Sequence, residues 1–506
     1  MESEGGGGGG AGGGGGGEGT PRVARSTDSR PLIAVRDPTI PGGIALERSE
    51  GRKKGKGVGA AVALETLDIA EPGVEPEEGA PDAAKRRQGA TEAVANIVNC
   101  ILAAGAVGGA YALLNTGVVT GVVLYVLSAA LMDASLMLLV HVAAQVRIFD
   151  YQGLCARALG VFGYVYTSAV QWGQGYGCMV TYLMVAADTV ESVLRMMLAL
   201  AGSSADGGLG AVLTDRRAIV AAVLCVVLPL CFLRNISSLA KTSYVSIASV
   251  VFIAAAVMYK CAGGVELDET QLEPVPTHSI VSGSILEGLG IAAFSFVTHH
   301  ESLILYQGLG DRSERNWGSI VHYSMTVACA CLLAIAIPGY LTFYNTTTSN
   351  ILNNYPNNDV FMTLCRLLFG ATMLLSYPLE HFVARTVALD LLRCPCCRPH
   401  GTSSASGTDA ATGAGNQRLR YIVVTLVLVL SSALIAMFTR DLGAVLTLTG
   451  GVCASSLAYI LPAIMYLRLV KTRDRTRTAL AITLIVVGSI LALGCPAWVV
   501  YRLMFA

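Results

Sequence analysis

From about residue 90 onward the chain is a succession of apolar runs roughly twenty residues long, parted by short polar stretches. A soluble core would alternate apolar and polar positions instead. In lipid, every backbone N–H and C=O has to be satisfied within its own segment or in a closed barrel. The ten-residue alternating segments of a barrel are absent, so the pattern predicts an all-α, multi-pass membrane protein. About eleven spans are expected, near 93–115, 118–146, 162–190, 217–234, 238–262, 283–309, 317–344, 358–392, 419–438, 441–470 and 477–504. The runs at 118–146 and 358–392 exceed a bilayer's thickness and are expected to tilt or to extend beyond it.

Composition agrees: 53% of the residues are apolar and 14% charged, against about 25% charged in soluble proteins. The formal net charge of +0 gives no footprint for nucleic acid. The 14 cysteines show neither a disulfide framework nor paired CxxC spacing, and most lie inside apolar runs as small hydrophobes. Residues 1–90 break the pattern. Gly5 to Gly17 is almost pure glycine, followed by a mixture of Pro, Gly, Glu, Lys and Arg that cannot bury enough apolar surface to offset its ordering entropy. A disordered cytosolic tail is expected there, with the transmembrane domain over 91–506. No apolar core follows Met1 as a secretory signal needs, and Glu2 rules out N-myristoylation.

Basic residues set the orientation. With the tail in the cytosol, Arg147, Arg157, Arg234, Lys241, Arg312, Arg315, Arg393, Arg398 and the Arg468–Arg477 cluster fall inside. The other side receives few, and takes the acidic stretch from Glu266 to Glu273. This topology puts the glycosylation sequon at Asn345 outside or in a lumen, and a second sequon at Asn235 in the cytosol.

Two stretches carry a resemblance. One is Asn99-Cys-Ile-Leu-Ala-Ala-Gly105 leading to Tyr111-Ala112 and Asn115-Thr116-Gly117. The other starts at Phe294-Ser-Phe-Val-Thr-His-His-Glu-Ser302 and continues through Tyr306, Pro338-Gly-Tyr-Leu-Thr-Phe343 and Tyr377-Pro378 to Arg385. With Leu442-Gly-Ala-Val and Leu461-Pro462-Ala463, the chain over 91–504 resembles the amino acid/auxin permease family, especially its sodium-coupled neutral amino acid transporter branch. The resemblance implies a leucine-transporter-like fold of two inverted five-helix repeats plus one helix. It also implies a secondary active transporter of amino acids, neutral ones above all, working by alternating access and coupled to Na⁺ or H⁺. A rival from another class is an amino acid sensor or receptor that signals through its tail.

A zwitterion inside a membrane needs donors for its carboxylate and acceptors for its ammonium. Broken helices supply both, as free N–H groups at one new end and free C=O groups at the other. Small-residue interruptions occupy matching places: Ala103-Ala104-Gly105-Ala106-Val107-Gly108-Gly109 in span 1, and Gly288, Gly290 and the Ser295 and Thr298 hydroxyls in span 6. Small residues also serve close helix packing, and it is the matched position that points to a site. The substrate candidates are therefore Ala103, Ala104, Gly105, Phe294, Ser295 and Thr298. Many family members have Gly-Ser-Gly where this chain has Ala103-Ala104-Gly105, which leaves the substrate's identity open. For Na⁺ the resemblance points to Asn99 with Thr372 or Ser376 on span 8.

Ionisable groups at membrane depth are functional candidates. Asp133 is a packing partner or a titrating group, and His299, His300 and Glu301 relay a proton or bond between helices. Glu380-His381 lies equally deep, whereas Asp188 and Glu191 sit near a membrane edge where hydration accounts for them. Cys394, Cys396 and Cys397 are juxtamembrane thiols open to palmitoylation. No GxxxxGK[ST] loop suggests an ATP-driven pump, no repeated carbonyl ring a channel, and no residue set covalent catalysis. No cofactor is expected beyond the coupling ion, and the partners are the amino acid and the lipid bilayer, without nucleic acid. Either a plasma membrane or a vacuolar, lysosome-like membrane fits.

Overall fold

The structure, a computed structural model, describes residues 33–36, 44–47, 89–204, 207–232, 242–263, 284–393 and 410–505. The chain divides into two units, Met1–Asp82 and Ala83–Ala506. In the first, strands β1 (Ile33–Arg36) and β2 (Ile44–Glu47) pair antiparallel, Ile33 opposite Glu47 and Arg36 opposite Ile44. The rest of the tail up to residue 88, the Asn235 sequon, the Glu266–Glu273 stretch and the Cys394–Cys397 cluster lie outside the described residues.

The regular elements described in the second unit are helical. The first expected span is two helices, α1 (Ala90–Gly105) and α2 (Gly109–Thr116), parted at Ala106, Val107 and Gly108. Next come α3 (Val118–Val146) and α4 (Tyr151–Leu200). Gly160 interrupts α4 at φ 68 and ψ −154, a conformation essentially confined to glycine. Residues 151–159 thus form an arm of their own, and the third span starts near the expected 162. The helices α5 (Gly208–Leu213), α6 (Arg216–Cys231) and α7 (Thr242–Cys261) complete the first half. The sixth span is again broken, into α8 (Ile285–Phe296) and α9 (His299–Gly308). After it come α10 (Glu314–Phe343), α11 (Val360–Arg393), α12 (Ala410–Phe438), α13 (Leu442–Leu448), α14 (Leu461–Leu469) and α15 (Arg475–Phe505).

A broken span followed by four more thus occurs twice, with α15 left over. Five crossings reverse the chain's direction, so the second set runs inverted to the first. Among the described residues, 7 helical segments are long and apolar enough to cross a membrane by themselves, at the expected spans 2, 5 and 7 to 11. The other expected spans fall short for separate reasons. Spans 1 and 6 are split, span 4 is described over only 16 residues, and span 3 carries polar groups such as Gln171, Gln174 and Thr181 that are buried against protein.

Between α13 and α14, Thr449–Ala454 and Ser456–Ile460 adopt wider π-helical turns. This stretch packs tightly on α15: a Cβ on Gly451 would lie 2.3 Å from the Cβ of Cys495. In α8, Gly288 and Gly290 do not unwind the helix as expected. A Cβ on Gly288 would lie 2.4 Å from Thr116 Cγ2, and one on Gly290 3.0 Å from the Thr447 carbonyl oxygen, so both serve packing.

Asp188 is held by partners rather than by hydration: it accepts from Arg216 Nη1 at 2.7 Å, Asn353 Nδ2 at 2.8 Å and Asn350 Nδ2 at 3.1 Å. Glu191 likewise pairs with Arg195 at 3.3 Å. The Asn350–Pro356 loop is also tied to buried Arg366, whose guanidinium donates to the carbonyls of Leu352, Tyr355 and Pro356. In turn the Ile351 amide donates to the Val107 carbonyl at 3.3 Å, satisfying an acceptor that the break in span 1 sets free.

Candidate functional site

Asn96, Asn99, Cys100 and Ala103 recur at helical spacing and share one face of α1, directly before its break. That face borders a cavity of about 210 Å³, closed by Tyr182 of α4, Ser243 of α7, Glu301 and Leu305 of α9, and Ser376, Leu379 and Glu380 of α11. Asn96 is satisfied, accepting from Ser243 Oγ at 3.0 Å. The Asn99 Oδ1 and Glu380 Oε2 atoms are buried without a hydrogen bond, Glu380 Oε2 facing His300 Nε2 at 3.8 Å. Unmatched acceptors at such depth are costly, and a cation or an ammonium in the cavity relieves that cost.

The two breaks meet beside this cavity. A Cβ on Gly105 would lie 2.6 Å from the Cβ of Ser295, so only glycine lets the end of α1 approach the end of α8 this closely. Cys100 Sγ lies 3.9 Å from the carbonyl of Val297 in the second break. That break is a full one: Val297 is extended at φ −74, ψ 120, and Thr298 leaves the helical region at φ −133, ψ 9. The Thr298 hydroxyl does not cap α9, and its Oγ1 is buried without a partner. The break thus leaves a carbonyl end of partial negative charge on α8 and an amide end of partial positive charge on α9.

The remaining sequence candidates fall in different places. Ala103, Asn99, Ser376 and Glu301 line the cavity. Thr372 lies one turn before Ser376 and donates to the Leu368 carbonyl at 3.0 Å, so its hydroxyl is engaged with its own helix. Ser295 likewise donates to the Ile291 carbonyl at 2.8 Å, and Phe294 packs at the foot of the wide turn near Gly450. Ala104 lies in α1, and its side chain is outside the described ones. Asp133 pairs with His322 of α10 at 2.7 Å and is not in the cavity lining. Asn345 is exposed on the short 3-10 turn Tyr344–Thr346.

The adjacent histidines diverge. His299 turns to α3, its Nε2 3.2 Å from Ser135 Oγ. His300 Nε2 turns to the cavity wall, 3.8 Å from Glu380 Oε2 and 3.9 Å from Glu301 Oε1. Sequence reasoning missed Asn96, Cys100, Tyr182 and Ser243 as lining groups. The one-face spacing with Asn99 was a usable signal for the first two, whereas Tyr182 and Ser243 gave none, since only packing brings α4 and α7 to α1.

The chain is similar to several known proteins. The model of the transmembrane amino acid transporter protein family matches residues 86–504. The putative sodium-coupled neutral amino acid transporter 11 of Bos taurus is 28% identical over 378 residues, covering 74% of this chain and 75% of its own. Vacuolar amino acid transporter 2 of Saccharomyces cerevisiae is 27% identical over 367 residues, covering 72% and 74%. Among solved structures, a mutant of the Eremococcus coleocola manganese transporter overlaps 80% of this chain and 85% of its own, at 12% identity and a TM-score of 0.47. The family match runs from before α1 to the end of α15 and takes in both breaks and the cavity between them: the chain belongs to the transmembrane amino acid transporter family.

Proposed function

We propose that the chain is a secondary active transporter that moves small neutral amino acids across its membrane by alternating access, driven by Na⁺. The observation that carries this reading is the unpartnered Asn99 Oδ1 in a cavity shared with Ser376 and Glu380, beside the carbonyl end of a broken helix. Oxygen donors of this kind, a side-chain amide, a hydroxyl and freed backbone carbonyls, suit a weakly held Na⁺. A cavity of about 210 Å³ falls below the roughly 300 Å³ at the small end of ligand clefts, which favours a small solute. The relatives named as sodium-coupled neutral and as vacuolar amino acid transporters support the substrate class. His300, Glu301 and Glu380 supply the alternative of H⁺ coupling.

Radiolabelled amino acid uptake into proteoliposomes, with Na⁺ and H⁺ gradients imposed separately, tests the reading. Accumulation driven by Na⁺ is expected. Losing a charge-assisted bond of about 1.5–3 kcal/mol, Asn99→Ala should raise the Na⁺ requirement on the order of tenfold or more. Uptake indifferent to both gradients and to Asn99→Ala would sink the proposal. Uptake driven by H⁺ alone moves the coupling to the His300 group. Saturable binding without uptake under any gradient favours a sensor.

We further propose a cytosolic N-terminus, which places the exposed Asn345 outside or in a lumen. An endoglycosidase mobility shift that disappears in Asn345→Gln is expected from cells. Removal of an N-terminal epitope by protease confined to the non-cytosolic side of sealed membranes would contradict this orientation.

A further inference from the structure

Four side chains of the chemistry that ligates transition metals converge on one wall of the cavity. The Cys100 Sγ, a ring nitrogen of His300 and a carboxylate oxygen of Glu301 all lie within 4.8 Å of one another. Glu380 joins them, its Oε2 3.8 Å from His300 Nε2. Neither ring nitrogen of His300 has a hydrogen-bond partner, nor has Glu380 Oε2, although all three atoms are buried. The two ring nitrogens of an imidazole point to opposite sides, so a single ion can take only one of them; Nε2 and Glu380 Oε2, 3.8 Å apart and both without a hydrogen bond, are placed to share it.

Spacing and donor type both narrow what that partner is. A tetrahedral ion with bonds of about 2.0–2.3 Å holds its ligands roughly 3.3–3.8 Å apart. The 3.8 Å and 3.9 Å separations from His300 Nε2 to the two carboxylates lie just beyond the spacing that nitrogen and oxygen ligands take. Small side-chain rotations close the rest. A thiolate with an imidazole selects zinc-class ions over Na⁺ or Mg²⁺, which prefer oxygen alone.

We propose that Cys100, His300, Glu301 and Glu380 form a binding site for a divalent transition-metal ion of the zinc class. On loading, the Cys100 thiol releases its proton to solvent and its sulfur takes a coordination bond. The ligands come from α1, α9 and α11, so the ion ties both broken spans to one helix of the second half. Helices tied in this way cannot rock past one another, and Zn²⁺ is therefore expected to inhibit uptake. This consequence rests on the transport reading; metal binding does not.

The test is a Co²⁺ titration of the full-length protein in nanodiscs, followed by optical spectroscopy. Cys394, Cys396 and Cys397 are replaced by serine in the test protein, so that a second thiol cluster cannot give the signal. One equivalent of Co²⁺ should produce thiolate-to-cobalt charge transfer and tetrahedral ligand-field bands, both bleached by Zn²⁺. Cys100→Ser should abolish the charge-transfer band and keep the size-exclusion profile. His300→Ala should weaken binding by about tenfold or more. No thiolate band at saturating Co²⁺, or one that survives in Cys100→Ser, overturns the site. The titration needs no substrate or gradient, so a protein that binds Co²⁺ and transports nothing keeps the site and loses only the transport reading.

Discussion

Gly450→Ala is expected to leave little folded protein. The added Cβ would stand 1.9 Å from the carbonyl oxygen of Gly290 and 2.9 Å from the Cβ of Phe294. Contacts between carbon atoms are favourable only from about 3.5 Å, and the obstacle here is backbone, which no rotamer change moves aside. Relief requires α8 to retreat by more than an ångström from the wide turn between α13 and α14. It cannot retreat freely, because Gly288 seats α8 against Thr116 and Ser295 seats it against Gly105. Overpacking typically costs about 1–3 kcal/mol, and a helix wedged from both sides belongs at or above the top of that range. Size-exclusion recovery and the thermal midpoint check this against Gly207→Ala, whose Cβ would meet nothing within 4 Å at an ordinary φ of −128. Equal recovery of the two variants would refute the account.

The second large effect concerns the charge cluster that anchors α15. Arg502 Nη1 donates to Glu287 Oε1 at 2.5 Å and to Tyr111 Oη at 3.2 Å, and Nη2 donates to Asp441. Glu287 also accepts from Trp498 Nε1 and Tyr111 Oη, each at 3.2 Å. Its side chain is only 2% exposed, against 40% for Asp441, so Glu287 depends on the guanidinium and Asp441 does not. Removing one partner of a buried pair costs about 3–5 kcal/mol, because the other charge is stranded. Arg502→Met is therefore expected to lower the thermal midpoint sharply, and adding Glu287→Gln should restore much of the loss. Arg502→Lys should rescue poorly, since an ammonium lacks the planar fork that reaches two carboxylates and a phenol at once. A double variant no more stable than Arg502→Met alone would show that the charges are not coupled.

The cluster joins α2, α8, α13 and α15, elements from both halves and from the extra helix. It stabilises the end of the bundle where the second halves of span 1 and the first half of span 6 begin or finish. The protein is a member of a transporter family and not an enzyme, and here its buried ionisable groups sort into two kinds. Glu287 and Asp188 are saturated with partners and hold elements together. Glu380 and His300 face each other at 3.8 Å beside a cavity and carry atoms without a hydrogen bond.

Lipid made much of the architecture readable in advance. With no water to satisfy the backbone, each crossing has to be an apolar helix wherever it faces lipid, broken only where protein covers the freed groups, so the hydropathy pattern marks the spans along the chain. The break in span 1 was legible for a local reason, since glycines at 105, 108 and 109 lower helix propensity where they stand. The Asn99 face of α1 follows from helical periodicity alone. The break in span 6 was placed by packing rather than by glycine: it falls at Val297 and Thr298, while Gly288 and Gly290 stay helical against Thr116 and Thr447. The Glu287–Arg502 pair joins positions 215 residues apart, and Tyr182 and Ser243 reach the cavity from helices whose rotation no local pattern encodes. Backbone hydrogen bonding is satisfied within a segment and so leaves its mark in that segment's residues. Side-chain neighbours across the bundle depend on how helices turn and close on one another, which only the folded packing settles.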